Sequence, residues 1–133
     1  MKTVFADTSY YIALTNPNDE YAAAACECTR ELGGELVTTA WVLTEVANHL
    51  RQAPNRPLLL SLVADLRSDR RVTIVPPTLE LFDRGLRLYG ERPDKDWSLT
   101  DCISFVVMHE RGISEALTGD HHFEQAGFTV LLK

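Results

Sequence analysis

No stretch of this 133-residue chain comes near the roughly 18 consecutive apolar residues that cross a membrane. The opening Met1-Lys2-Thr3-Val4-Phe5 enters a strand pattern without the charged and apolar regions of a secretory leader, so a cytoplasmic protein with no membrane contact is expected. Gly-x-Gly-x-x-Gly is missing, which argues against dinucleotide chemistry. Lysine is scarce, occurring only as Lys2, Lys95 and Lys133. The formal charge is -6 and the pI about 5.1, so bulk electrostatic attraction is not what would hold a nucleic acid here. Cysteine is scarce too. Cys26 and Cys28 stand two apart on a helical pattern, pointing to nearly opposite sides, and three cysteines cannot all pair within the chain. Reduced thiols are expected, with Cys102 a small buried hydrophobe. A zinc site drawing on His49, His109, His121 or His122 is disfavoured, because neither Cys-x-x-Cys nor His-Glu-x-x-His is present.

What remains is enough for one core. A hydrophobic content of 45% in a chain of this length suits a single domain over residues 1–133. Short apolar runs at 2–6, 36–38, 72–75, 115–117 and 129–132 read as strands. Helical patterns at 20–32, 41–50, 57–66, 79–89 and 99–111 separate them, with Gly90 and Gly112 as stops and Thr78 and Ser98 as caps. Strands alternating with helices predict an α/β fold: a central parallel sheet of about five strands, flanked by helices, with ligands outside the strands' carboxyl ends.

Four apolar stretches of this pattern each deliver one carboxylate: Asp7, Glu45, Asp101 and Asp120. Converging, they would form a site for a hard divalent cation such as Mg2+ or Mn2+, which takes oxygen ligands. Each has a plainer reading. Asp7 follows the first strand and suits a helix N-cap, although the carboxyl end of a central strand also suits a ligand, with Thr8 or Ser9 adding a hydroxyl. Glu45 lies off its helix's apolar stripe, yet shares a side with Trp41, which fits a cleft wall better than open solvent. Asp101 completes a capping box with Ser98 at the head of a helix that is apolar nearly all round. Asp120 can cap a short helix after the tight exit Thr118-Gly119. Asp96 is one charge in the polar loop 91–96 and reads as a bystander, while His121-His122 reads as a loop pair beside the acids.

The order Phe5-Ala6-Asp7-Thr8-Ser9, Thr44-Glu45-Val46, Ser98-Leu99-Thr100-Asp101-Cys102 and Leu117-Thr118-Gly119-Asp120-His121-His122-Phe123 resembles the PIN domain family, in particular the VapC-type toxins of toxin-antitoxin pairs. The resemblance spans the chain. It implies a PIN-like three-layer sandwich and an endoribonuclease using Mg2+ or Mn2+. Asp7, Glu45, Asp101 and Asp120 would be the acid set, with Thr8, Ser9 and Thr118 supporting. It also implies a homodimer and a cognate antitoxin lying across the cleft. One departure is the bulky Ile103-Ser104-Phe105-Val106-Val107 after Asp101, where many relatives carry small alanines.

Rival acid-pocket enzymes fit less well. A haloacid-dehalogenase-like phosphatase wants an acid two residues after Asp7, where Ser9 stands. A receiver domain wants an acidic pair there and a late strand-end lysine, which this chain lacks. The remaining alternative is a PIN fold that binds RNA or a protein without cleaving it.

Overall fold

Val4, Phe5 and Ala6 are buried in succession, as a strand covered on both faces requires. They belong to β1 (Thr3–Ala6). The computed structural model describes residues 2–133, and Met1, the first residue of the expected strand entry, lies outside them. β2 (Glu35–Thr39), β3 (Val72–Val75), β4 (Glu115–Leu117) and β5 (Thr129–Val130) complete an all-parallel sheet in the order β3-β2-β1-β4-β5. β5 is shorter than its apolar run, but the Leu131 and Leu132 amides still donate to Ala116 and Thr118 carbonyls at 3.0 and 3.2 Å. The last strand thus frays at the sheet edge without losing its backbone partners.

Among the described residues, seven α-helices connect and cover the strands. α1 (Thr8–Thr15) and α2 (Ala22–Glu31) link β1 to β2; α3 (Ala40–His49) and α4 (Arg56–Ser68) link β2 to β3. α5 (Leu79–Glu91) and α6 (Leu99–Arg111) carry the chain back across to β4, and α7 (His121–Gln125) leads to β5. Right-handed crossovers put the first four helices on one face and the last three on the other. The packing agrees: α1 touches α2 and α3, α3 touches α4, and α6 touches α5 and α7. The layers are therefore helix, sheet, helix.

Stops and caps follow elementary backbone rules. Ser98 and Asp101 form the expected capping box, and Gly112 ends α6 in the left-handed region at φ 67°. α5 runs past Gly90 to Glu91, however. Glycine in a helix costs only about 1 kcal/mol, whereas Pro93 forces Arg92 out of helical geometry, to φ -124°. Proline sets the boundary there.

One aromatic chain ties the back of the sheet together. Phe5 and Phe123 rings lie 6.4 Å apart, Phe105 meets Phe123 edge-on at 4.9 Å, and Trp97 meets Phe105 at 5.0 Å. Phe123 is fully buried, so the five-residue α7 is anchored to the core by its centre. A helix that short has little stability of its own, and this ring fixes the segment that begins at Asp120.

Candidate active site

The sheet changes direction at β1. The chain leaves β1 for neighbours on one side and returns to β4 on the other, which opens a crevice outside the carboxyl ends of these two strands. Asp7 directly follows β1, Thr118 directly follows β4, and the Asp7 amide donates to the Leu117 carbonyl at 3.2 Å. Asp7 occupies the N-cap position of α1, but its side chain makes no capping hydrogen bond there. Its carboxylate accepts from the Thr118 hydroxyl instead, at 2.9 Å.

That hydroxyl is the hub of a donor relay. Thr118 has one proton, given to Asp7, so Ser9 must donate to Thr118 Oγ1 at 3.0 Å, while Ser9 Oγ accepts the Gly119 amide at 3.2 Å. The Asp120 amide fills the second lone pair of Thr118 Oγ1 at 3.0 Å. A Cβ at Gly119 would strike the end of the Tyr21 ring, which would have to shift to admit it. The other acids close on the same crevice. Thr8, the first residue of α1, donates to Glu45 of α3 at 2.6 Å. Asp101 Oδ2 accepts the Ser98 amide at 3.1 Å, and Asp120 Oδ1 accepts the His122 amide at 2.9 Å. The capping readings of Asp101 and Asp120 are thus both realised, which does not remove these carboxylates from the crevice.

His122 is the residue the sequence reading passed over. Its Nδ1 lies 3.2 Å from Asp101 Oδ2 and 3.3 Å from Asp120 Oδ1. A single turn of α7 folds the ring back over the helix start. The available signal was its place two residues after a capping aspartate. Asp96, by contrast, is exposed in the loop before α6.

Electrostatics mark the crevice as short of positive charge. Burial pushes the Asp7 carboxyl up to about 7; the Thr8 amide and Thr118 hydroxyl oppose this, and the charges of Asp101 and Glu45 reinforce it. Asp101 is raised as well, by burial first and by Asp120, against the Ser98 amide and His122. Among the described residues no Lys or Arg forms an ion pair with any of the four acids. Among the described residues, side-chain hydrogen bonds reach Oδ2 of Asp7, Oε1 of Glu45 and Oδ2 of Asp101, while Asp120 Oδ1 accepts a backbone amide and lies 3.3 Å from His122 Nδ1. Hard oxygen donors, uncompensated charge and one oxygen per acid free of side-chain donors fit a divalent cation. No three of the four carboxylates stand within 4.8 Å of one another. Among the described residues, that spacing is met only by Asp120, His121 and His122.

The sequence pattern of the PIN domain family matches residues 4–129. The chain belongs to the PIN domain family. This PIN domain is 29% identical over 126 residues to the 23S rRNA-specific endonuclease VapC20 of Mycobacterium tuberculosis, covering 94% of this chain and 95% of the relative. It superposes on the crystal structure of VapC20, described as a sarcin-ricin loop cleaving toxin, with a TM-score of 0.85 at 25% identity, covering 95% of this chain and 96% of that one. It also shares its fold with VapBC2 from Rickettsia felis, solved on a promoter DNA fragment, at a TM-score of 0.67 and 11% identity. FitAcB from Neisseria gonorrhoeae gives 0.65 at 16% identity; both alignments cover 96% of each chain.

Proposed function

We propose that this PIN domain is a VapC-type toxin: a Mg2+- or Mn2+-dependent endoribonuclease, acting as one domain over residues 1–133 in the cytoplasm and restrained by a cognate antitoxin. The observation that carries the reading is the crevice at β1 and β4, where Asp7 is buried within reach of the charges of Asp101 and Glu45 and none of the four acids pairs with a lysine or arginine among the described residues. The similarity to VapC20 makes the sarcin-ricin loop of 23S rRNA the first substrate to try.

Asp7, Glu45, Asp101 and Asp120 would hold the ion, while Thr118, Thr8 and His122 fix one oxygen each of Asp7, Glu45 and Asp101. A bound divalent ion would supply activation of a water toward phosphorus and neutralisation of charge on the leaving 3′ oxygen. The crevice supplies neither a cysteine nor a lysine nucleophile, so the residues' work is orientation and charge. Glu45, half-buried and held by Thr8, would orient the attacking water. Arginine makes up ten of the thirteen Lys and Arg residues, and its guanidinium is the better side chain for bidentate phosphate contact. Exposed leucines on α4 and α5 suit a homodimer contact.

Purified protein incubated with sarcin-ricin loop RNA and Mn2+ or Mg2+ should cleave it, stop on chelation, and lose cleavage in Asp7→Asn. A PIN fold that only binds would retain RNA without turnover, and Asp7→Asn would change nothing.

A further inference from the structure

We infer that His122 is a positioning residue that clamps Asp101 to Asp120 and thereby sets the metal affinity of the site; this rests on the ribonuclease reading above. The two carboxylates come from different elements, one at the head of α6 and one at the cap of α7. Among the described residues no backbone hydrogen bond joins residues 98–101 to residues 118–122. Nδ1 of His122 stands between them, 3.2 Å from Asp101 Oδ2 and 3.3 Å from Asp120 Oδ1, on a side chain only 19% exposed. The tautomer bearing the proton on Nδ1 donates to Asp101 Oδ2 and holds Asp120 Oδ1 in close contact with the same nitrogen.

The clamp is selective in what it occupies. It takes Asp101 Oδ2, which already accepts the Ser98 amide, and Asp120 Oδ1, which already accepts the His122 amide. Oδ1 of Asp101 and Oδ2 of Asp120 are left without a protein donor among the described residues. Thr8 and Thr118 each hold one oxygen of Glu45 and of Asp7 in the same manner. His122 therefore does for two acids what each threonine does for one. Hydrogen-bonded partners of ligating carboxylates typically govern metal affinity by about 10–100-fold.

The test compares Mn2+ and Mg2+ dissociation constants, measured by calorimetry on metal-free protein, for wild type, His122→Ala and His122→Asn, with thermal melting as the check on folding. Asparagine can place its amide N–H near the position of imidazole Nδ1, whereas alanine removes the donor. His122→Ala should bind both ions about 10–100-fold more weakly, and His122→Asn should recover most of the loss. Wild-type affinity in His122→Ala overturns the clamp, as does an asparagine variant no better than alanine. A loss confined to Mn2+ would make the imidazole a direct nitrogen ligand and equally overturn it. Wild type that binds neither ion removes the ribonuclease reading and the clamp with it; wild type that binds while His122→Ala is unchanged removes the clamp alone.

Discussion

The Thr118 hydroxyl donates to the Asp7 carboxylate at 2.9 Å, joining the ends of the two strands that flank the sheet's switch point. Thr118 is fully buried and its other hydrogen-bonding capacity is taken by Ser9 and the Asp120 amide, so a nearly isosteric loss of the hydroxyl strands three partners at once. Thr118→Val is expected to destabilise the fold by about 1–3 kcal/mol and to weaken Mn2+ binding at least tenfold. Urea unfolding and metal titration measure the two effects separately, and a variant equal to wild type in both would contradict the relay.

Asp7 is expected to make the metal-free protein less stable as pH rises. Its folded carboxyl titrates at about 7, against 3.8 for the ordinary group, so between those values the folded state holds a proton that the unfolded chain has released. Stability from this group is complete below about pH 4 and is lost as pH climbs through about 7, a change of a few kcal/mol. Asp7→Asn cannot ionise. In chelated buffer at pH 8 it should melt above wild type, with the gap closing toward pH 4, and the same variant should be inactive on RNA. A gap of constant size across that range would place the effect in packing.

Asp96→Asn should cost far less activity than Asp101→Asn. Asp96 is exposed in a loop, while Asp101 is buried, caps α6 and touches His122. Cleavage rates of the two variants under identical Mn2+ settle the matter, and equal losses would bring Asp96 into the site.

Much of this arrangement was legible in the sequence because its signals are local. Buried parallel strands read as unbroken apolar runs, and α6 was bounded correctly by Ser98 and Gly112. The four acids stood out by following apolar stretches, but aspartate at a strand exit is equally a helix cap, and spacing cannot separate the two. The structure shows why: Asp101 and Asp120 do cap, and only Asp7 stands at a cap position without capping. What was not legible depends on long-range approach. Thr8 finds Glu45 across 37 residues and Thr118 finds Asp7 across 111, distances over which no periodicity speaks. His122 was hidden because a single helical turn, anchored by Phe123, decides whether its ring faces solvent or the acids.

Self-association should be measurable. Leu60 is 68% exposed on α4 and Leu79 is 74% exposed at the start of α5, with Leu58, Leu86 and Tyr89 also outward. Apolar side chains of this size left facing water favour an interface. Light scattering at micromolar concentration should give a dimer mass, reduced by Leu60→Glu or Leu79→Glu; a monomer mass throughout would leave these residues as ordinary surface.

Divalent metal should stabilise the protein, and in a way that separates ligands from caps. In the metal-free state the charges of Asp101 and Glu45 oppose ionisation of Asp7, and no lysine or arginine of the described residues relieves them. An ion that binds only the folded state adds roughly 2.7 kcal/mol when its free concentration is about a hundredfold above its dissociation constant, which is several degrees in Tm for a domain of this size. Binding must also displace the proton that Asp7 carries below about pH 7, so the same Mn2+ concentration should shift Tm more at pH 8 than at pH 6. Asp7→Asn should show a smaller shift with little pH dependence. Ca2+, larger and tolerant of irregular oxygen shells, provides the control for binding without efficient cleavage. If millimolar Mn2+ moves neither melting nor cleavage at either pH, the four acids are caps and surface charges, and the metal-dependent reading of this PIN domain is wrong.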